Sequence, residues 1–171
     1  MAPWGTAAFL LLLPLIAMRI TDDMSWDAAD FAIFGAMLIG ACCAYELAAR
    51  ATGSDAYRAA VSVALAAAFI LVWMNLAVGV IGAEDNPANR MHGGVLAVGI
   101  IGAVIARFQP RGLARALVAT ALAQALVAMI ALAAGLGSAL TLTGVFVALW
   151  LASAWLFRKA AREQASVGAT P

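Results

Sequence analysis

Charge is scarce in this chain. Asp, Glu, Lys and Arg make up 11% of its 171 residues, where an ordinary soluble domain carries about 25%. Histidine occurs once, as His92, and cysteine only as the adjacent pair Cys42 and Cys43. A single imidazole excludes bis-histidine haem ligation within one chain and a self-contained His-rich metal site. Two neighbouring thiols make no disulfide scaffold, because a bridge between them would be strained. Ten basic against nine acidic residues leave a formal charge of +1, so no bulk field draws in nucleic acid. The sequence also lacks G-x-S-x-G, H-E-x-x-H, a P-loop and a dinucleotide fingerprint.

What is present is apolar. Hydrophobic residues make up 65% of the chain and the mean hydropathy is +0.99. A water-soluble protein of this size has no core large enough to hide so much apolar side chain. The excess must face lipid, which excludes a soluble enzyme, a nucleic-acid-binding domain and a disordered chain. The bilayer is therefore the first expected partner.

A membrane helix needs about 20 mainly apolar residues to cross a hydrocarbon core of about 30 Å. Six stretches meet that length: Trp4 to Ile20, Phe31 to Ala49, Ala59 to Gly82, Pro87 to Phe108, Leu113 to Ala134, and Leu140 to Phe157. The first carries Pro14, which removes a backbone hydrogen bond and is expected to kink it. With no Lys or Arg before it and no convincing A-x-A site after it, the first span is expected to be retained rather than cleaved. The expected fold is all-α: a polytopic bundle of six transmembrane helices forming one membrane domain over residues 1–171.

Orientation follows from the basic residues. Arg50, Arg58, Arg107, Arg111, Arg115, Arg158, Lys159 and Arg162 fall on one side, and only Arg19 and Arg90 on the other. Lys and Arg are retained in the cytoplasm during insertion, so both termini are expected inside. Asp22, Asp23, Asp27, Asp30, Glu84 and Asp85 then fall outside. Short loops imply antiparallel hairpins. Alanine, about a quarter of the chain, suits close helix packing and self-association in lipid. An offset of 57 residues lays Ala49-Arg50 on Ala106-Arg107 and Arg58-Ala59 on Arg115-Ala116, a weak repeat that an alanine-rich chain also produces without duplication.

The least lipid-like stretch runs from Gly82 to Gly94. Asn86 is a good N-cap there, Pro87 suits a first helical position, and Glu84 and Asp85 favour the positive end of the helix dipole. The bland reading is a capped helix start with Arg90 paired to one of the acids. The functional reading sets Glu84, Asp85, Asn86, Asn89, Arg90 and His92 where a cation or polar solute arrives from outside, with Asp22 and Asp23 adding an acidic rim. Hard cations prefer such oxygen ligands, but no calcium-loop spacing is present. In the first outer loop Trp26 reads as an interfacial anchor and Asp27 or Asp30 as an N-cap.

Polar groups inside the spans are costly in lipid and usually face the bundle interior. Asn75 in the third span and Gln124 in the fifth read as interhelical glue or as the lining of a polar path. Thr120 lies one turn before Gln124, and Glu46 is placed to pair with Arg50 at i,i+4. With only amides at the midplane, a proton relay lacks its ionisable chain. Met18, Met24, Met91 and His92 offer soft-metal ligands, but their spacing is irregular and methionine routinely fills gaps. The metal and cofactor are thus left unassigned.

The run Trp73 to Asn89, with Asp30-Phe31 and Tyr45-Glu46-Leu47-Ala48, resembles a group of small polytopic bacterial inner-membrane proteins without an assigned activity. The resemblance implies a bacterial inner membrane and carries over no substrate, cofactor or catalytic residue. Two non-enzymatic readings stay open. One is a membrane protein that binds or transports a cation or small polar solute through its outer face. The other is a helper subunit that packs against a larger membrane complex through alanine- and glycine-rich surfaces. A membrane enzyme is third, since the one imidazole lacks an evident nucleophile.

Overall fold

A computed structural model describes residues 2–20, 26–77, 81, 87–135 and 140–167. Every regular element among them is helical: α1 (Ala2–Ile20), α2 (Ala28–Ala51), α3 (Asp55–Ala77), a 3-10 turn (Pro87–Arg90), α4 (Met91–Ile105), α5 (Pro110–Ala133) and α6 (Leu140–Val167). Six helical segments among the described residues are long and apolar enough to cross a bilayer. The chain is thus built as a multi-pass membrane protein.

Hydropathy marks where lipid is tolerated, not where a helix starts, so the observed ends differ from the expected ones. Helix α6 continues ten residues past Phe157 through Arg158 and Arg162. Helix α3 starts earlier, at Asp55, and is described only to Ala77. The expected α-helical start at Pro87 is corrected to a 3-10 turn, with α4 proper beginning at Met91. Arg90, not Asn86, occupies the N-cap of α4 and makes no side-chain cap; Asn86 lies outside the described residues. At its other end α4 stops at Ile105 rather than Phe108, because Pro110 holds Gln109 extended (ψ 135°) and opens α5 at once.

The contacts divide the chain into two units, Met1–Ala51 and Thr52–Pro171. In the first unit α1 packs against α2. Trp4 Nε1 donates to Glu46, whose other oxygen pairs with Arg50 at 2.9 Å. Cys42 Sγ donates to the Pro3 carbonyl, and helix α1 runs on through Pro14. Asp27 caps α2: its Oδ1 accepts from the N–H groups of Ala29 and Asp30, and Asp30 accepts from the N–H of Asp27 in return. Trp26 packs edge-on against Phe31 and Phe34 at 5.3 Å, pinning the entry of the chain into the helix.

In the second unit α3 packs on α6, α6 on α5 and α5 on α4, with a light contact from α4 back to α3. Helix α5 shows the pattern that lipid imposes. Its buried face is mostly small or polar, with Ala114, Ala116, Thr120, Ala121, Gln124 and Ala131 beside the larger Leu113, Leu117 and Val127. Its exposed face carries Leu122, Leu126, Met129 and Ile130. Small residues let the backbones approach, and large apolar residues meet the solvent that accepts them. The α4–α5 seam is tight enough that a Cβ on Gly102 would lie 2.7 Å from the Cβ of Ala116.

Candidate functional site

The glycine contacts set the antiparallel register of α4 on α5. Gly102 meets Ala116, and Gly99 meets Thr120. Extending that register by one and two turns brings Val95 to the level of Gln124 and His92 to the level of Val127. Val95 and Val127 indeed share one buried cluster with Ile81 and Ala131. Helix α6 runs antiparallel to both its neighbours. Ser153 Oγ donates to the Ala60 carbonyl of α3 at 2.7 Å, while Ala161 and Ala114 line one cleft between α6 and α5. The same course along α6 carries Trp150 to about the level of Gln124.

Near this level several polar side chains are buried. Gln124 is fully buried (0% exposed), and neither its amide oxygen nor its amide nitrogen has a hydrogen-bond partner among the described residues. His92 is 1% exposed. Its Nδ1 lies 3.3 Å from the Asn89 carbonyl, which can only accept, so Nδ1 carries the proton and Nε2 is left without a partner among the described residues. The indole N–H of Trp150, a buried residue, also has no partner among the described residues. These groups offer donors from the amide and the indole, and acceptors from the amide oxygen and the second imidazole nitrogen. A buried polar group left unpaired costs about 1–3 kcal/mol. Gln124 and Trp150 stand at about one depth, and His92 lies about one turn away at the level of Val127, so the buried polar atoms fall within a short stretch of the unit.

Thr120 is not part of this set, because its hydroxyl donates to the Ala116 carbonyl of its own helix. Asn75 lies in the last described turn of α3. Counting along α3 from Ala60, it lies beyond the Gln124 level by about twelve residues, or about 18 Å. Its Oδ1 is buried and unpartnered as well. Asn75 and Gln124 therefore stand at two depths.

Asn89 is structural as well as central. It is 4% exposed, and its Oδ1 accepts from the Ile81 N–H at 2.8 Å, fastening the incoming chain to the 3-10 turn. Arg90 is exposed. Asp22, Asp23, Glu84 and Asp85, like Asn86, lie outside the described residues. Among the described residues no three His, Cys, Asp or Glu side chains gather into a metal site. Trp150 is the member that reasoning from the sequence misses, since an indole in an apolar helix reads as an anchor at the membrane surface.

No protein-family model, curated protein or solved structure matches the chain.

Proposed function

We propose that the protein takes up a small polar solute through the second unit, with Gln124, His92 and Trp150 as its interior contacts. The observation that carries this reading is the unpartnered amide of Gln124 in the middle of a membrane-spanning helix. An apolar residue would pack there without penalty, so the amide is explained by an occupant that satisfies it. The described acids of the second unit are Asp55 and Glu163, in the first turn of α3 and the last turns of α6, which favours an uncharged solute over a bare cation at this depth. Asn75 and Asn89 flank the approach from one end of the unit. The acids Glu84 and Asp85, which follow α3 in sequence, would serve to concentrate polar or cationic species from outside. The bacterial inner membrane is the location that fits the resemblance and the basic-residue asymmetry.

The helper-subunit reading is favoured by one observation: Gly93, Gly94 and Gly144 have nothing within 4 Å of where a Cβ would stand, leaving flat backbone for a neighbour. Water separates the two. With Cys42 and Cys43 replaced by Ala, Gln124→Cys should react with a water-soluble methanethiosulfonate, while Leu122→Cys, on the lipid-facing side of α5, should not. In proteoliposomes, urea or glycerol should enter faster than into protein-free vesicles, and Gln124→Leu should abolish the difference. An unreactive Cys at position 124 together with vesicle-level fluxes would establish a packed interior and overturn the solute reading.

A further inference from the structure

At the other end of the second unit, α5 and α6 enclose an open cleft of about 430 Å³ lined by Arg111 and Arg115 of α5 and by Arg158 and Arg162 of α6. Its floor is alanine: Ala114, Ala161 and Ala165. We propose that this cleft binds a phosphate group, supplied by the headgroup of an anionic lipid in the leaflet at that end.

Four observations converge on it. First, each helix contributes two arginines four residues apart, so both pairs stack on one face and repel along their own helix. Such an arrangement is stabilised by an anion between the rows. Second, the guanidinium groups have no partner among the described residues. The described ion pairs are Glu46 with Arg50 and Asp55 with Arg58, and none of the four cleft arginines has a hydrogen bond or ion pair among the described residues. The single acid on α5 and α6, Glu163, accepts instead from the Ser54 hydroxyl at 3.0 Å. Third, the cleft lies beside the start of α5, where Pro110 is in the first turn and Gln109 provides no side-chain cap. The unpaired N–H groups and the positive dipole end add to the field of the arginines.

The fourth observation is depth. Helix α6 has 28 residues and is about 42 Å long, against a hydrocarbon core of about 30 Å. Its last turns must therefore leave the core. Trp155, 60% exposed, sits one turn before Arg158 and marks the interface that aromatic residues prefer. Arg158 and Arg162 then stand at headgroup level, beside Arg111 and Arg115. Guanidinium forks match phosphate oxygens in pairs, and basic pockets between membrane helices suit lipid phosphates. The alanine floor leaves room for the headgroup rather than filling the cleft with side chains. The proposal is independent of the solute site at the Gln124 level.

The full-length protein should be melted in nanodiscs of phosphatidylcholine, of phosphatidylglycerol and of cardiolipin at matched ionic strength. Inorganic phosphate should be added to the phosphatidylcholine discs in a separate arm, with chloride as control. The expected result is a higher melting temperature in the two anionic lipids, lost in Arg111→Gln/Arg158→Gln and retained in Lys159→Gln, a basic residue of the same helix outside the cleft. Arg111→Lys/Arg158→Lys keeps the charge but not the fork and should retain only part of the shift. A shift from inorganic phosphate in the other arm would assign the same site to a soluble source. If the paired variant fails to fold, single Arg162→Gln should weaken the lipid adduct seen by native mass spectrometry of the detergent-purified protein. Equal melting in all discs with no effect of phosphate would overturn the proposal, as would a shift that survives loss of the cleft arginines or disappears equally with Lys159→Gln.

Discussion

The hydroxyl of Tyr57 donates to the backbone carbonyl of Phe108 at 2.9 Å, tying the first turns of α3 to the corner between α4 and α5. That corner is strained. Arg107 and Phe108 both adopt left-handed backbone, with φ of 48° and 58°, a conformation that costs a residue with a side chain about 1–2 kcal/mol. The surrounding structure over-determines it. Pro110 starts α5 immediately, Gly112 sits so close to Ala106 that a Cβ there would approach to 2.5 Å, and the Tyr57 ring packs edge-on against Phe157 at 5.1 Å. Tyr57→Phe keeps the ring and removes only the hydrogen bond. It should lower stability by about 0.5–1.5 kcal/mol, read as a drop in melting temperature in detergent. An unchanged value would mean that water satisfies the Phe108 carbonyl equally well.

Three glycines of α4 should respond to alanine in a fixed order. A Cβ at Gly102 would meet the Cβ of Ala116 at 2.7 Å and its Cα at 3.3 Å, neither of which can swing aside. Gly102→Ala should therefore push α4 off α5 and cost about 1–3 kcal/mol. At Gly99 the nearest atom is Thr120 Oγ1 at 3.2 Å, and a small shift of that side chain makes the loss smaller. Gly94 has nothing within 4 Å, so Gly94→Ala should stabilise the helix by about 0.5–1 kcal/mol through backbone entropy. Melting temperatures of the three variants give the order directly. Any other ranking would contradict the α4–α5 seam.

Much of this architecture is legible in the sequence because lipid leaves few options. Twenty apolar residues in a row must span, and small residues must sit between helices, so the six spans and the alanine-lined seams can be read without coordinates. The ends cannot. Helix α6 carries its regular backbone through Arg158 and Arg162, which hydropathy scores as departure from the membrane and not as continued helix. Gln124 is legible as a lone amide in an apolar run, but its partner at the same depth, Trp150, is not, since nothing local distinguishes a buried indole from an interfacial one. Asn89 shows the same limit: its side chain serves the Ile81 N–H, a choice settled by how the chain returns and not by local propensity. The four cleft arginines count toward orientation in the sequence. Only the antiparallel pairing of α5 with α6 reveals that their i,i+4 spacings face each other.

Orientation gives a direct test of the basic-residue asymmetry. Eight Lys and Arg on one side against two on the other should hold both termini in the cytoplasm. Reporter fusions after Asn89 and after Pro171 should score outside and inside. The same compartment for both would be incompatible with an even number of spans between the termini and an outward turn after α3.

Gln124 is where stability and activity should part. Leucine has similar length and no polar atom, and the described surroundings of Gln124 offer its amide no partner. If the amide is retained for a solute, the empty protein bears the desolvation penalty that an unpaired amide imposes, about 1–3 kcal/mol. Gln124→Leu should then melt at or above the wild-type temperature, by about 2–4 °C for each kcal/mol in a chain of this size, while losing solute entry into proteoliposomes. A purely structural amide predicts the opposite pairing, a lower melting temperature with whatever flux the wild type shows left intact. Measuring both on the same preparation separates the two roles, because a variant that is more stable and inactive cannot be explained by misfolding.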